Sequence, residues 1–193
     1  MTQNMSKAFA AATAILLTLS LTATATAEKI SWFLPRCQND GLPVTLQIIT
    51  EGHAGWRVNG GLAHHPATNA GGWVNIPPSQ WIGPVHPQFS QPPGTYTYVV
   101  PFSAPGPHGA MSVSATWAAD NCGVSLQGGT GTPVSTGTCY EGDKDFVAPH
   151  NTSANFSAAD SSTNHLTVTF VTTNEGGPTG LTGVFDITAE CPV

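Results

Sequence analysis

Charge is scarce in this chain. Only 8% of its 193 residues are Asp, Glu, Lys or Arg, against roughly 25% in an ordinary soluble domain. Beyond residue 27 the strong cations are Lys29, Arg36, Arg57 and Lys144, scattered singly. Nucleic acid and anionic membranes are held by clustered Lys and Arg, so neither is an expected partner of a chain with net charge −6. Long apolar runs are equally rare. The one uncharged apolar stretch, Ala8 to Leu21, is shorter than the roughly 20 residues needed to span a bilayer. It follows Lys7 and precedes Ala25-Thr26-Ala27, an A-x-A cleavage pattern. Residues 1–27 therefore read as a secretory signal peptide and 28–193 as a single exported domain, extracellular or periplasmic, with no membrane insertion. Catalytic signatures are missing too: there is no G-x-S-x-G, no phosphate-cradling glycine loop and no dinucleotide fingerprint.

Helical periodicity is absent after the signal segment, while alternation is frequent. In "AMSVSATWA" the residues Met111, Val113, Ala115 and Trp117 alternate with Ser112, Ser114 and Thr116, which predicts a half-buried strand with Trp117 inward. "TYTYVV", "HLTVTFVTT" and "GVFDITA" repeat the pattern, and "KISWF", "VTLQIIT" and "GVSLQGG" add further strands. Between them lie "HAGWRVNGGLAHHPATNAGG", "GPVHPQFSQPPG", "SAPGPHG" and "QGGTGTPVSTG", rich in turn residues. Short strands with Gly/Pro turns indicate an all-β antiparallel sandwich or barrel. In "WAADNCG", Asp120 and Asn121 are residues that cap turns, so the segment reads as a hairpin turn leading into "GVSLQGG".

Four cysteines in an exported chain read as two disulfides, with three pairings open. The preferred set joins Cys122 to Cys139 across one Gly/Thr-rich excursion, and Cys37 to Cys191 near the two ends. No C-x-x-C or His-x-His spacing supports a metal site.

The series "GGWVNIPPSQWIGP", "PPGTYTYVVPF", "ATWAADN" and "NHLTVTFVTTNEGGPTGL" resembles secreted bacterial domains found in proteins with a PEP-CTERM sorting tail, which are related to the galactose-binding-like jelly roll. The resemblance runs from about Gly71 to Leu181. It implies a two-sheet jelly roll with Trp81, Tyr96, Phe102, Trp117 and Phe170 in the core, and it carries over no catalytic residues. The sorting tail itself is not seen, and the Cys122 to Cys139 excursion departs from the related domains.

Function is expected to lie in binding. A sugar site needs an aromatic face with amide or carboxylate groups alongside. Trp56, flanked by Arg57 and Asn59 outside any clean alternation, is the first candidate, and Tyr140 beside "EGDKD" the second. The competing reading buries Trp56 as a plug at the end of the sandwich. In "EGDKD", Glu141, Asp143 and Asp145 share one face if extended, making Asp143 and Asp145 weak calcium candidates. A calcium loop's Asp-x-Asp-Gly is missing there, and no other cofactor is expected. His53, His64 and His65 could gather a metal only if the adjacent pair faced one centre, which an extended chain forbids. The expectation is a secreted, non-catalytic module recognising extracellular carbohydrate. The alternatives are a structural or adhesive surface protein and a polysaccharide hydrolase.

Overall fold

The alternating segments form the strands they predict, and the computed structural model shows how they pair. It describes residues 32–38, 40–51, 55–65, 72–84, 90–137 and 144–193. Among the described residues the strands are β1 (Val44–Ile49), β2 (Arg57–Val58), β3 (Gly61–Leu62), β4 (Gly94–Ser103), β5 (Met111–Asp120), β6 (Cys122–Gly128), β7 (Val134–Ser135), β8 (His150–Asn155), β9 (His165–Asn174) and β10 (Gly180–Ala189). A 3-10 turn, Ala158–Ser162, follows β8. The described residues contain no α-helix.

Every ladder is antiparallel, in a four-stranded sheet ordered β1-β10-β5-β8 and a six-stranded sheet ordered β3-β2-β4-β9-β6-β7. Leaving aside the β2–β3 hairpin, eight strands remain, and the first pairs with the last, the second with the seventh, the third with the sixth and the fourth with the fifth. That nested winding across two sheets is a jelly-roll β-sandwich.

The inward faces meet in one core. Val113, Ala115, Trp117, Phe185 and Ile187 come from the four-stranded sheet, and Tyr98, Val100, Phe102, Leu126, Val168 and Phe170 from the other. Trp117 lies 4.9 Å from Phe170, centroid to centroid. Gly123 is needed beneath that pair, because a Cβ there would stand 2.4 Å from the Trp117 ring. Trp81, Tyr96, Phe102, Trp117 and Phe170 are all buried.

Two expectations change, and a third lies mostly outside the described residues. "WAADNCG" is not a hairpin: β5 runs through Asp120 and β6 starts at Cys122, and because the two strands belong to different sheets, Asn121 alone carries the chain across the sandwich. The Asp120–Asn121 peptide is cis, and Asn121 Oδ1 accepts the Glu175 N–H at 2.7 Å. Local turn chemistry is the same whether the next strand pairs with the last one or faces it. From "KISWF" only Trp32 and Phe33 are described, and Phe33 makes an isolated parallel bridge to Ser103. The polar segment "HNTSAN", not anticipated as a strand, is β8.

The Cys37–Cys191 disulfide is present. Cys122 is also disulfide-bonded; its expected partner, Cys139, lies outside the described residues.

Candidate functional site

The outer face of the four-stranded sheet is covered at one end and open at the other. Over the covered end runs the segment 72–84. Trp73 and Trp81 pack as a tilted pair with centroids 4.2 Å apart and lie with Ile76 and Ala118 in a second, smaller core. Gly180 allows this, since a Cβ there would stand 3.0 Å from the Trp81 ring. Trp81 Nε1–H donates to the Val74 carbonyl at 2.8 Å, and Ser79 Oγ lies 2.9 Å from Thr182 Oγ1. At the edge of this cover sits the Asp120 carboxyl, 6% exposed. Burial pushes its pKa up to about 6, against the opposing effect of a hydrogen bond from Trp73.

At the open end the strands present a row of polar side chains. Thr188, Ser112 and Asn155 stand in register across β10, β5 and β8, facing out because Met111, Val113, Ala154, Ile187 and Ala189 face in. This row lines a cavity of about 540 Å³ with Glu190, Met111, Phe156, Ser157 and Ser161. A second cavity of about 370 Å³ is lined by Thr130, Gly131, Thr132 and Val134 and shares Asn155, Phe156 and Ser157 with the first. Those three residues form a ridge between the two.

Asp160 and the glycine run "QGGTGT" hold the ridge in place. The Asp160 carboxylate accepts hydrogen bonds from Ser157 N at 2.9 Å and Ser157 Oγ at 2.8 Å, and from Thr130 N and Thr130 Oγ1, both at 3.1 Å. Burial alone would raise its pKa, but these bonds outweigh burial and hold it below the usual carboxylate range. Phe156 packs edge-on to Phe102 at 5.8 Å and rests on Gly128, where a Cβ would come within 2.8 Å of its ring. Gly129, at φ +51°, leaves room for Asp160 in the same way. The glycines that read as turn punctuation are the seat of the ridge.

The residues expected to bind lie elsewhere. Trp56 is fully buried; its ring packs 5.2 Å from Phe185 and its Nε1–H donates to the Ile49 carbonyl at 2.8 Å. It plugs the core and has no face to offer a sugar. Asn59 occupies a left-handed turn at φ 49°, between β2 and β3, and its Oδ1 accepts the Thr97 N–H at 2.9 Å. Tyr140, Glu141 and Asp143 are outside the described residues.

Asp145 is buried, with Oδ2 accepting the Gly123 N–H at 2.9 Å and Oδ1 3.3 Å from His150 Nε2. His150 in turn stacks on Trp117 at 4.9 Å, so Asp145 ties the 144–149 segment to two strands. Among the described residues no three His, Cys, Asp or Glu side chains gather as a metal cluster.

The cleft was not legible in the sequence because alternation shows only that residues such as Ser112 face water, not that wet residues of β10, β5 and β8 stand side by side. Ser157-Ala-Ala-Asp160, with its capping-box spacing, was the one legible hint.

No family profile matches the chain, and no curated relative does either. Among solved structures, the chain is similar to a Stig cyclase, Fisc, from Fischerella sp. TAU, crystallised in complex with (3Z)-3-(1-methyl-2-pyrrolidinylidene)-3H-indole. The identity is 14%, the TM-score 0.40, and the match covers 84% of this chain and 86% of that one.

Proposed function

We propose that this chain is an exported, non-catalytic module that binds neutral extracellular carbohydrate in the cleft beside the 3-10 turn. The observation that carries the reading is the composition of the cleft wall. Ser112, Asn155, Ser161 and Thr188 supply hydroxyl and amide groups, Glu190 supplies one carboxylate, and no Lys, Arg or His is among the lining residues. Such groups match sugar hydroxyls, which both donate and accept, whereas phosphate and sulfate call for charged donors. Glycoside hydrolysis ordinarily needs two carboxyl groups about 5 to 9.5 Å apart; one carboxylate favours binding over cleavage. Export is supported by residues 1–27 and by the Cys37–Cys191 disulfide. No helix among the described residues is long and apolar enough to cross a membrane.

Affinity electrophoresis through gels containing β-glucan, xylan, galactomannan or an acidic pectin tests the reading. Retardation by a neutral polysaccharide is expected, lost in Asn155→Ala and Glu190→Gln while both variants keep the parent's melting temperature. If no polysaccharide in the panel retards the protein, the binding reading fails. Reducing ends released from any of them would transfer the cleft to the hydrolase reading.

A further inference from the structure

The cleft is divided, and the division constrains the size of what it holds. We propose that the unit recognised is a stretch of at least two sugar residues, one in each cavity, lying across the Asn155–Phe156–Ser157 ridge. This rests on the carbohydrate reading above and adds to it the length of the ligand.

Two independent features support a chain over a single sugar. The first is shape. Cavities of about 540 and 370 Å³ sit on either side of the ridge and share its three residues. A ligand confined to one cavity would leave the other side of Asn155 and Ser157 facing water, whereas a chain crossing the ridge would contact these residues from both sides. The second is chemistry. Each cavity has its own hydroxyls away from the ridge, Thr188 and Ser112 in the larger and Thr132 in the smaller. Both are therefore furnished for the same class of ligand, and neither introduces a positive charge.

The ridge is also built not to move. Four hydrogen bonds to the buried Asp160 fix Ser157 and Thr130, and Gly128 and Phe102 clamp Phe156. A site preformed in this way avoids the entropy cost of ordering its wall when ligand arrives. It also dictates which side chains are available. Thr130 Oγ1 and Ser157 Oγ are occupied by Asp160 and by each other, 2.9 Å apart, so the hydroxyls left to meet a ligand away from the ridge include those of Thr132, Thr188 and Ser112.

Calorimetric titration with cello-, manno- and xylo-oligosaccharides of one, two and four units separates the possibilities. At least one series should bind, with the dissociation constant falling about tenfold or more from one unit to four. Thr132→Val and Thr188→Val, each removing one exposed or half-exposed hydroxyl, should each weaken the four-unit ligand by about two- to tenfold. A flat dependence on length, or a four-unit ligand indifferent to Thr132→Val, would show that one cavity suffices. That result overturns the two-subsite inference while leaving carbohydrate binding in place. Absence of binding at every length overturns both.

Discussion

Replacing Asp120 with Asn should make this protein more stable near neutral pH and leave it little changed in mild acid. The Asp120 carboxyl is 6% exposed at the edge of the Trp73–Trp81 cover, and burial raises its pKa from 3.8 to about 6. Folding therefore favours the protonated form. The stability associated with that form is fully present below the unfolded pKa of 3.8 and is lost as pH rises through about 6. Converted at 1.36 kcal/mol per unit, the difference is about 3 kcal/mol; partial screening by nearby solvent reduces it to about 2 kcal/mol. Asparagine is neutral throughout and keeps an oxygen for the Trp73 hydrogen bond. It should raise the melting temperature at pH 7.5 by about 4 to 8 °C for a chain of this size, and by almost nothing at pH 4. Asp160 acts in the opposite sense: its depressed pKa contributes stability that is lost only as pH falls below the ordinary carboxylate range. Since both proteins carry Asp160, its effect cancels in the difference. Calorimetric melts of parent and variant from pH 4 to 8 read the difference directly. A variant less stable than the parent at pH 7.5, or a difference independent of pH, would refute the argument that burial dominates at Asp120.

Trp56→Ala should cost about 3 to 5 kcal/mol, because the ring is fully buried against Phe185 and its N–H is spent on Ile49; denaturant unfolding reads this, and a loss below about 1 kcal/mol would return Trp56 to the surface. Gly128→Ala should displace the Phe156 ring, which its new Cβ would approach to 2.8 Å. Overpacking of this kind typically costs about 1 to 3 kcal/mol, and it should lower glycan retention in the gel assay, so a variant with parental stability and retention would show that the ridge is softer than the contacts imply.

Alternation alone determined β4, β5, β9 and β10, because each has one face in the core and one in solvent, and the side-chain period of a strand makes that difference visible. It placed Trp117 inward for the same reason. The Cys37–Cys191 pair was also legible, in the count and placement of cysteines. β8 was not, because it is an edge strand in which only Ala154 is fully buried, and a strand with almost nothing to bury has no pattern to show. Nor could the sequence tell that β5 and β6 sit in opposite sheets, since the Asp and Asn at their junction are compatible with either arrangement and the choice depends on pairing with β9 and β10, some fifty to sixty residues from the junction. Trp56 shows the limit most plainly. Its local neighbours are those of an exposed loop tryptophan, yet Phe185 and Ile49, brought to it by the winding of the sheets, bury it. The cleft likewise exists only in the folded chain: Thr188, Ser112 and Asn155 meet because three strands lie in register, and Asp160 and Gly128 fix the ridge because β6 and the 3-10 turn fold onto the same end of the sandwich.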